Sequence, residues 1–113
     1  MRREIPPKVQ QLLKQLNDLQ RTFQSINTQR QQLEITLIET KNALEALKKS
    51  EGDHVYRIVG GVFIKFNKDE VMNELEETLK LLQTRVDILS NQEKKLMDDM
   101  KKIEEEIQRE LRG

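Results

Sequence analysis

Apolar residues recur along this chain in two long runs with alternating steps of three and four, and that rhythm limits what it can fold into. The first run falls on Val9, Leu12, Leu16, Leu19, Phe23, Ile26, Arg30, Leu33, Leu37, Thr40, Leu44 and Leu47. The second falls on Met72, Leu75, Leu79, Leu82, Val86, Leu89, Glu93, Leu96, Met100, Ile103, Ile107 and Glu110. Ten of twelve positions are apolar in each run. A period near 3.5 residues marks a helix that buries one narrow stripe against another helix, which is the seam of a coiled coil.

The two seams fit each other in antiparallel order. In such a pair an a position of one helix faces a d position of the other, so the numbers of facing residues have a constant sum. Leu44 with Leu75, Leu37 with Leu82, Phe23 with Leu96 and Leu16 with Ile103 all add to 119. The layers of Leu47 with Met72, Leu33 with Val86, Leu19 with Met100 and Leu12 with Ile107 keep the same sum. Arg30 and Glu93 interrupt their seams one layer apart. A diagonal ion pair between them would fix the register at a cost in stability, while snorkelling of both to water is the alternative.

Helix boundaries follow from local chemistry. Pro6 and Pro7 suit a first turn, where a missing N–H costs no intrahelical bond. No further proline or glycine occurs before Gly52, a plausible stop, so the first helix is expected over about 7–49, roughly 65 Å at about 1.5 Å per residue. For the second helix, expected over about 68–111, Asn67 reads as the N-cap with Glu70 as its reciprocal partner. Phe66 is placed to pack on Val71 as a hydrophobic staple.

Only the intervening stretch has another period. Val55-Tyr56-Arg57-Ile58-Val59 and Val62-Phe63-Ile64-Lys65-Phe66 are β-branched and aromatic, and Gly60-Gly61 supplies the positive φ of a two-residue turn. The expectation is a β-hairpin over 55–66 in which Val59 faces Val62, Arg57 faces Ile64 and Val55 faces Phe66. Neither face is polar enough for water, and a lone two-stranded hairpin is marginal. It either caps its own helices or pairs with hairpins of other chains. A two-helix coil whose seam is already used has little surface to offer, which favours assembly through the strands.

Composition excludes several classes. With 35% apolar and 35% charged residues, the chain has too little apolar content for a globular core, yet its periodic seams are unlike disorder. Net charge is zero but unevenly spread: residues 1–50 carry nine basic against five acidic groups, and residues 69–113 carry eight against thirteen. That asymmetry suits pairing of the two helices and weighs against nucleic-acid binding. The absence of cysteine suits a reducing cytosol. No stretch approaches the roughly 20 apolar residues of a membrane span, and the first ten residues lack a signal-peptide apolar region. The expectation is a soluble, cytoplasmic protein with no membrane or nucleic-acid partner.

No enzyme site is expected. The single histidine, His54, sits beside Gly52 and Asp53 and reads as a solvated loop residue. Asp98-Asp99 and Glu104-Glu105-Glu106 point around a helix and lack a calcium-loop spacing, so neither a metal nor a cofactor site is expected. What remains is apolar surplus where the chain ends meet: Ile5, Val9, Leu12, Leu13 and Leu16 opposite Met97, Met100, Ile103, Ile107 and Leu111. Leu13, Met97 and Leu111 occupy e positions beside the seam. They either offer adaptable apolar contacts to another chain or simply close the end of the coil.

These residues resemble a known family. The hairpin run from Val55 to Phe66, the following Lys68-Asp69-Glu70, and Gln92-Glu93-Lys94-Lys95-Leu96 in the second helix, set between two equal heptad helices, are similar to the beta subunits of prefoldin. The likeness spans essentially all of residues 1–113, as a single domain. The room between Leu47 and Met72 admits one hairpin, as in the beta class, and the short termini fit an archaeal member.

The resemblance implies a mainly α fold, a long antiparallel two-helix coiled coil joined by one hairpin that assembles into an oligomeric β-barrel body. It implies an ATP-independent holdase that captures non-native polypeptides and delivers them to a group II chaperonin. Its partner would be a prefoldin alpha subunit, in a hexamer of two alpha and four beta chains. Oligomerisation would fall to Val55, Tyr56, Ile58, Val59, Val62, Phe63, Ile64 and Phe66, and client contacts to the ten surplus apolar residues near the chain ends. The rival reading is a structural coiled-coil adaptor that oligomerises through its hairpin.

Overall fold

The order of elements is helix, hairpin, helix: α1 (Pro7–Lys49), β1 (His54–Val59), β2 (Val62–Asn67) and α2 (Lys68–Arg112). The structure is a computed structural model and describes residues 4–113; residues 1–3 of the expected domain lie outside the described residues. Packing divides the chain into two units, one combining the chain up to Gln31 with Asp87–Gly113, the other formed by Gln32–Val86.

In the first unit the early part of α1 lies beside the late part of α2. Lys8 Nζ pairs with Glu110 Oε1 at 3.1 Å and with Glu106 Oε1 at 3.6 Å. Further along α1, Asn27 Nδ2 donates to Glu93 Oε2 at 3.4 Å and Arg30 Nε donates to Glu93 Oε1. Contacts that rise along α1 thus descend along α2, which makes the pair antiparallel. The register agrees with the constant sum of facing residues, in which Ile26 meets Glu93 and Arg30 lies one layer away. Every expected seam residue of this unit is buried or half-buried, led by Val9 at 2% exposure.

The diagonal ion pair therefore forms, and its residues do not snorkel out. Glu93 is 9% exposed, the one buried charged residue among those described. Its carboxylate is shared between Arg30 and Asn27, so both oxygens are used. A charge removed from water needs such partners, because desolvation offsets most of the Coulombic gain.

The second unit has its own seam. Leu37, Leu44, Leu82 and Val86 are buried, while Leu33, Thr40, Leu47, Met72, Leu75 and Leu79 are half-buried. Val71 is buried although it lies outside the heptad stripe, and Phe66 is half-buried, as a staple requires. Asn67 Oδ1 accepts the backbone N–H groups of Asp69 at 2.9 Å and Glu70 at 3.2 Å. Glu70 joins this cap through its N–H alone; its carboxylate takes no part among the described bonds. Acidic Asp69 and Glu70 start α2, and basic Lys48 and Lys49 end α1, each complementing the helix dipole.

The hairpin has the expected register, with Val59 opposite Val62, Arg57 opposite Ile64 and Val55 opposite Phe66. It extends one pair further than expected, to His54 opposite Asn67, so His54 opens a strand and does not lie in the loop. Lys68 N–H continues the ladder to Asp53 O at 2.8 Å, which is why the pairing does not stop at residue 55. Gly60 and Gly61 have φ of 57° and 80°, the two left-handed residues of a type I′ turn, whose twist matches that of the strands.

Two outcomes are expected in urea melts at fixed protein concentration and in hydrogen exchange. Arg30→Leu and Glu93→Leu each destabilise by roughly 1–3 kcal/mol, less than a fully buried pair, while the double variant regains most of the loss; additive losses would remove the coupling. Gly60→Asn leaves hairpin protection nearly unchanged, whereas Gly60→Val loosens it. A Cβ at Gly60 meets nothing within 4 Å, so any cost comes from the backbone, about 1–2 kcal/mol for an ordinary residue in the left-handed region.

Candidate functional site

Among the described residues, two sets of expected contact residues include apolar side chains exposed to solvent, one set in each unit. In the second unit the hairpin has two unlike faces. Val55, Arg57 and Phe66 are half-buried on one face, from which Arg57 reaches Glu74 of α2. The opposite face carries Tyr56, Ile58 and Phe63, all well over half exposed, with Phe63 at 72%. Val59 and Val62 at the turn and Ile64 are exposed as well. Of the eight residues expected to assemble, six are open to solvent, and Val55 and Phe66 are partly covered by the chain itself. Pleating accounts for Tyr56, Ile58 and Phe63, which leave the sheet on the side opposite Val55 and Phe66; Val59, Val62 and Ile64 share the face of Val55 and Phe66 but lie nearer the turn.

In the first unit the ten expected contact residues do not form one class. Val9 and Leu12 are buried in the seam, and Leu16, Met100, Ile103 and Ile107 are half-buried there. Only Ile5, Leu13, Met97 and Leu111 stand out into solvent, Leu111 at 62%. The buried members hold the coil together; the exposed ones are surplus to it.

Three of the four share a flank. In an antiparallel pair the e positions of both helices border one side of the seam and the g positions border the other. Leu13, Met97 and Leu111 are e residues, and Met97 lines a groove with Gln20, Phe23, Gln24, Asp98, Met100, Lys101 and Glu104. The α1 side of that flank is uncharged, with Gln10, Asn17, Gln20 and Gln24, while its α2 side carries Lys101 and Glu104 beside Gln108. The opposite flank is charged. Its grooves are bordered by Gln15, Asp18, Thr22, Lys95, Asp99 and Lys102, with Leu19, Ile26, Leu96 and Ile103 as the floor.

Lys8 closes the charged flank. The hydrogen bond to Glu110 and the charges of Glu110 and Glu106 raise its pKa above the ordinary lysine value. A raised folded-state pKa gives a stabilising contribution that is present at neutral pH and lost only as pH rises through that value, far into the alkaline range. Lys8 is fully exposed, so solvent screens the effect.

Sequence reasoning overlooked some features. Ile35, Ile38, Leu81 and Ile88 are each more than half exposed at outward heptad positions, where only an apolar residue outside the seam could have flagged them. Arg57, expected as the odd charge on an apolar face, lies 5.3 Å from the centroid of the Phe66 ring and pairs with Glu74 Oε2 at 3.0 Å. Among the described residues no cluster of three or more acidic, histidine or cysteine side chains is placed to hold a metal, and no helix is long and apolar enough to cross a membrane.

Comparison with known proteins agrees with this geometry. The family model described as prefoldin subunit matches residues 10–113. The prefoldin subunit beta of Thermococcus onnurineus is 38% identical over 109 residues, covering 96% of this chain and 94% of that protein. The prefoldin subunit beta of Archaeoglobus fulgidus is 38% identical over 106 residues, covering 93% and 91%. The crystal structure of the prefoldin beta subunit from Thermococcus strain KS-1 superposes with a TM-score of 0.90 at 36% identity, over 99% of each chain. With two long helices, a single hairpin and this likeness along its length, the chain belongs to the prefoldin family, among the beta subunits, and is by family a chaperone subunit that assembles with other prefoldin subunits.

Proposed function

We propose that this chain, acting as one domain, is the beta subunit of an ATP-independent holdase that captures non-native polypeptides in the cytoplasm and delivers them to a group II chaperonin. In this reading the hairpins pair with those of alpha-type and further beta-type subunits, forming a β-barrel body in a hexamer of two alpha and four beta chains. The observation that carries the reading is the presence of two separate sets of exposed apolar side chains, each in excess of what its own unit buries.

The hairpin face suits assembly. Tyr56, Ile58 and Phe63 leave water only if another chain covers them, and free strand edges accept further strands. The e flank suits capture. Unfolded chains share no fixed charge pattern, so a surface for them needs apolar reach with little electrostatic selection. Leu13, Met97 and Leu111 meet that need, beside glutamines on α1 and charges of both signs on α2, and the flexible, polarisable methionine side chains adapt to varied partners. Each contact is weak, but several subunits acting on one client bind by avidity, without a nucleotide cycle.

The test is reconstitution with a prefoldin alpha subunit, followed by light scattering of a denaturant-unfolded enzyme diluted without ATP. The assembly is expected to suppress aggregation. Phe63→Asp is expected to prevent assembly, read as native mass. The triple variant Leu13→Ser, Met97→Ser and Leu111→Ser is expected to assemble normally but lose most of the protection, whereas Gln15→Ser with Lys102→Ser on the opposite flank keeps it. Undiminished protection by the triple variant would remove the e-flank assignment, and a stable dimer of this chain that never suppresses aggregation would favour a structural adaptor.

A further inference from the structure

We propose that Arg57 is a positioning residue for assembly, latching the hairpin to the first turns of its own α2 so that Tyr56, Ile58 and Phe63 are presented outward in a fixed orientation. This rests on the reading of the hairpin as the assembly element. Arg57 is the one charged residue on a face otherwise made of valine, isoleucine and phenylalanine. A sheet face meant only to be buried has no use for it.

Its surroundings show what it does. The guanidinium lies 5.3 Å from the centroid of the Phe66 ring, a cross-strand diagonal neighbour, and within range for a cation–π contact. Its Nη2 pairs with Glu74 Oε2 at 3.0 Å. Glu74 lies two helical turns into α2, whereas the covalent link from β2 to α2 is the short step from Asn67 to Lys68. A strand leaving a helix through a single capped residue is held at its base by Asn67, Lys68 and Val71. The hairpin can still tilt about that base. A second attachment on the other strand removes the tilt, and Arg57 of β1 supplies it.

The geometry suits arginine more than lysine. One planar group faces a ring and also reaches a carboxylate, which a compact ammonium does less well. Arg57 is one-third exposed and Glu74 is mostly exposed, so the pair adds little to the stability of the chain. Its effect appears when the hairpin must be ordered for docking, because pre-ordering reduces the entropy lost on association.

The experiment measures association of the full-length chain with a prefoldin alpha subunit by native mass across a dilution series, beside thermal melting of the helices. Glu74→Gln and Arg57→Lys are each expected to weaken association by roughly three- to tenfold, in line with the small contributions of exposed ion pairs and cation–π contacts. Helix melting should be unchanged. The reversed pair, Arg57→Glu with Glu74→Arg, should recover part of the loss seen with Arg57→Glu alone. Association unaffected by Glu74→Gln, or no recovery in the reversed pair, would overturn the latch. Phe63→Asp keeps the two ideas apart: if it leaves assembly intact, the assembly reading itself fails; if it abolishes assembly while Glu74→Gln does nothing, only the latch fails.

Discussion

The heptad seam is the constraint on which the other features depend. Among the described residues, every fully buried side chain except Val71 is a seam position, and each unit is held by facing leucines, isoleucines, valines and methionines in a stripe two residues wide. A stripe that narrow is complete once two helices have met. It has no second side on which to fold another element, so beyond Val71 and the hairpin base at Val55 and Phe66, most apolar groups outside it have no place within the chain. The exposed sheet face and the exposed e residues are consequences of that geometry: a two-helix pair can stabilise itself and still leave apolar surface for other molecules.

Arg30 and Glu93 show how a seam built mostly of similar apolar residues keeps one register. Sliding the helices by a heptad would still pair apolar residues with apolar residues over most of the length, at modest cost. A slide that sets Glu93 opposite Leu19 would also strand a carboxylate and a guanidinium in separate apolar layers, where unpaired charge is expensive; a slide the other way keeps Arg30 within one layer of Glu93 but takes Asn27 away from it. The pair is therefore better placed to discriminate between registers than to add stability, and Asn27 strengthens the discrimination by using the second carboxylate oxygen.

Much of this was legible in the residues. The spacing gave the seams, the constant sum gave the antiparallel register, and Gly60-Gly61 gave the hairpin pairing to the residue, because a two-residue turn leaves one register. The staple of Phe66 and Val71 and the Asn67 cap could be read because each depends on neighbours a few positions apart. The contacts that were missed join residues far apart in sequence across different elements. Arg57 to Glu74 depends on the angle at which a strand meets a helix, and no periodicity records that angle. Likewise, heptad counting marked Leu13 as an e residue beside Val9 and Leu12 in the seam, but the expected contact set grouped all three, and packing separates the two that close the seam from the one that leaves it.

That separation bears on how one coil can serve two purposes. The residues beside a seam usually carry charge, and their ion pairs help choose the partner and its orientation. Here the flank that holds Lys8 with Glu106 and Glu110 keeps that role. Leu13, Met97 and Leu111 on the other flank give it up, and a coil that paired through both flanks would have no reason to tolerate them. Placing recognition between helices on one side frees the other from electrostatic duty. An e flank that is uncharged on α1 and carries both signs on α2, at Lys101 and Glu104, has no dominant charge and can accept segments of either sign, as the proposed capture of unfolded chains requires. The low net charge of the e flank is thus as informative as its apolar residues.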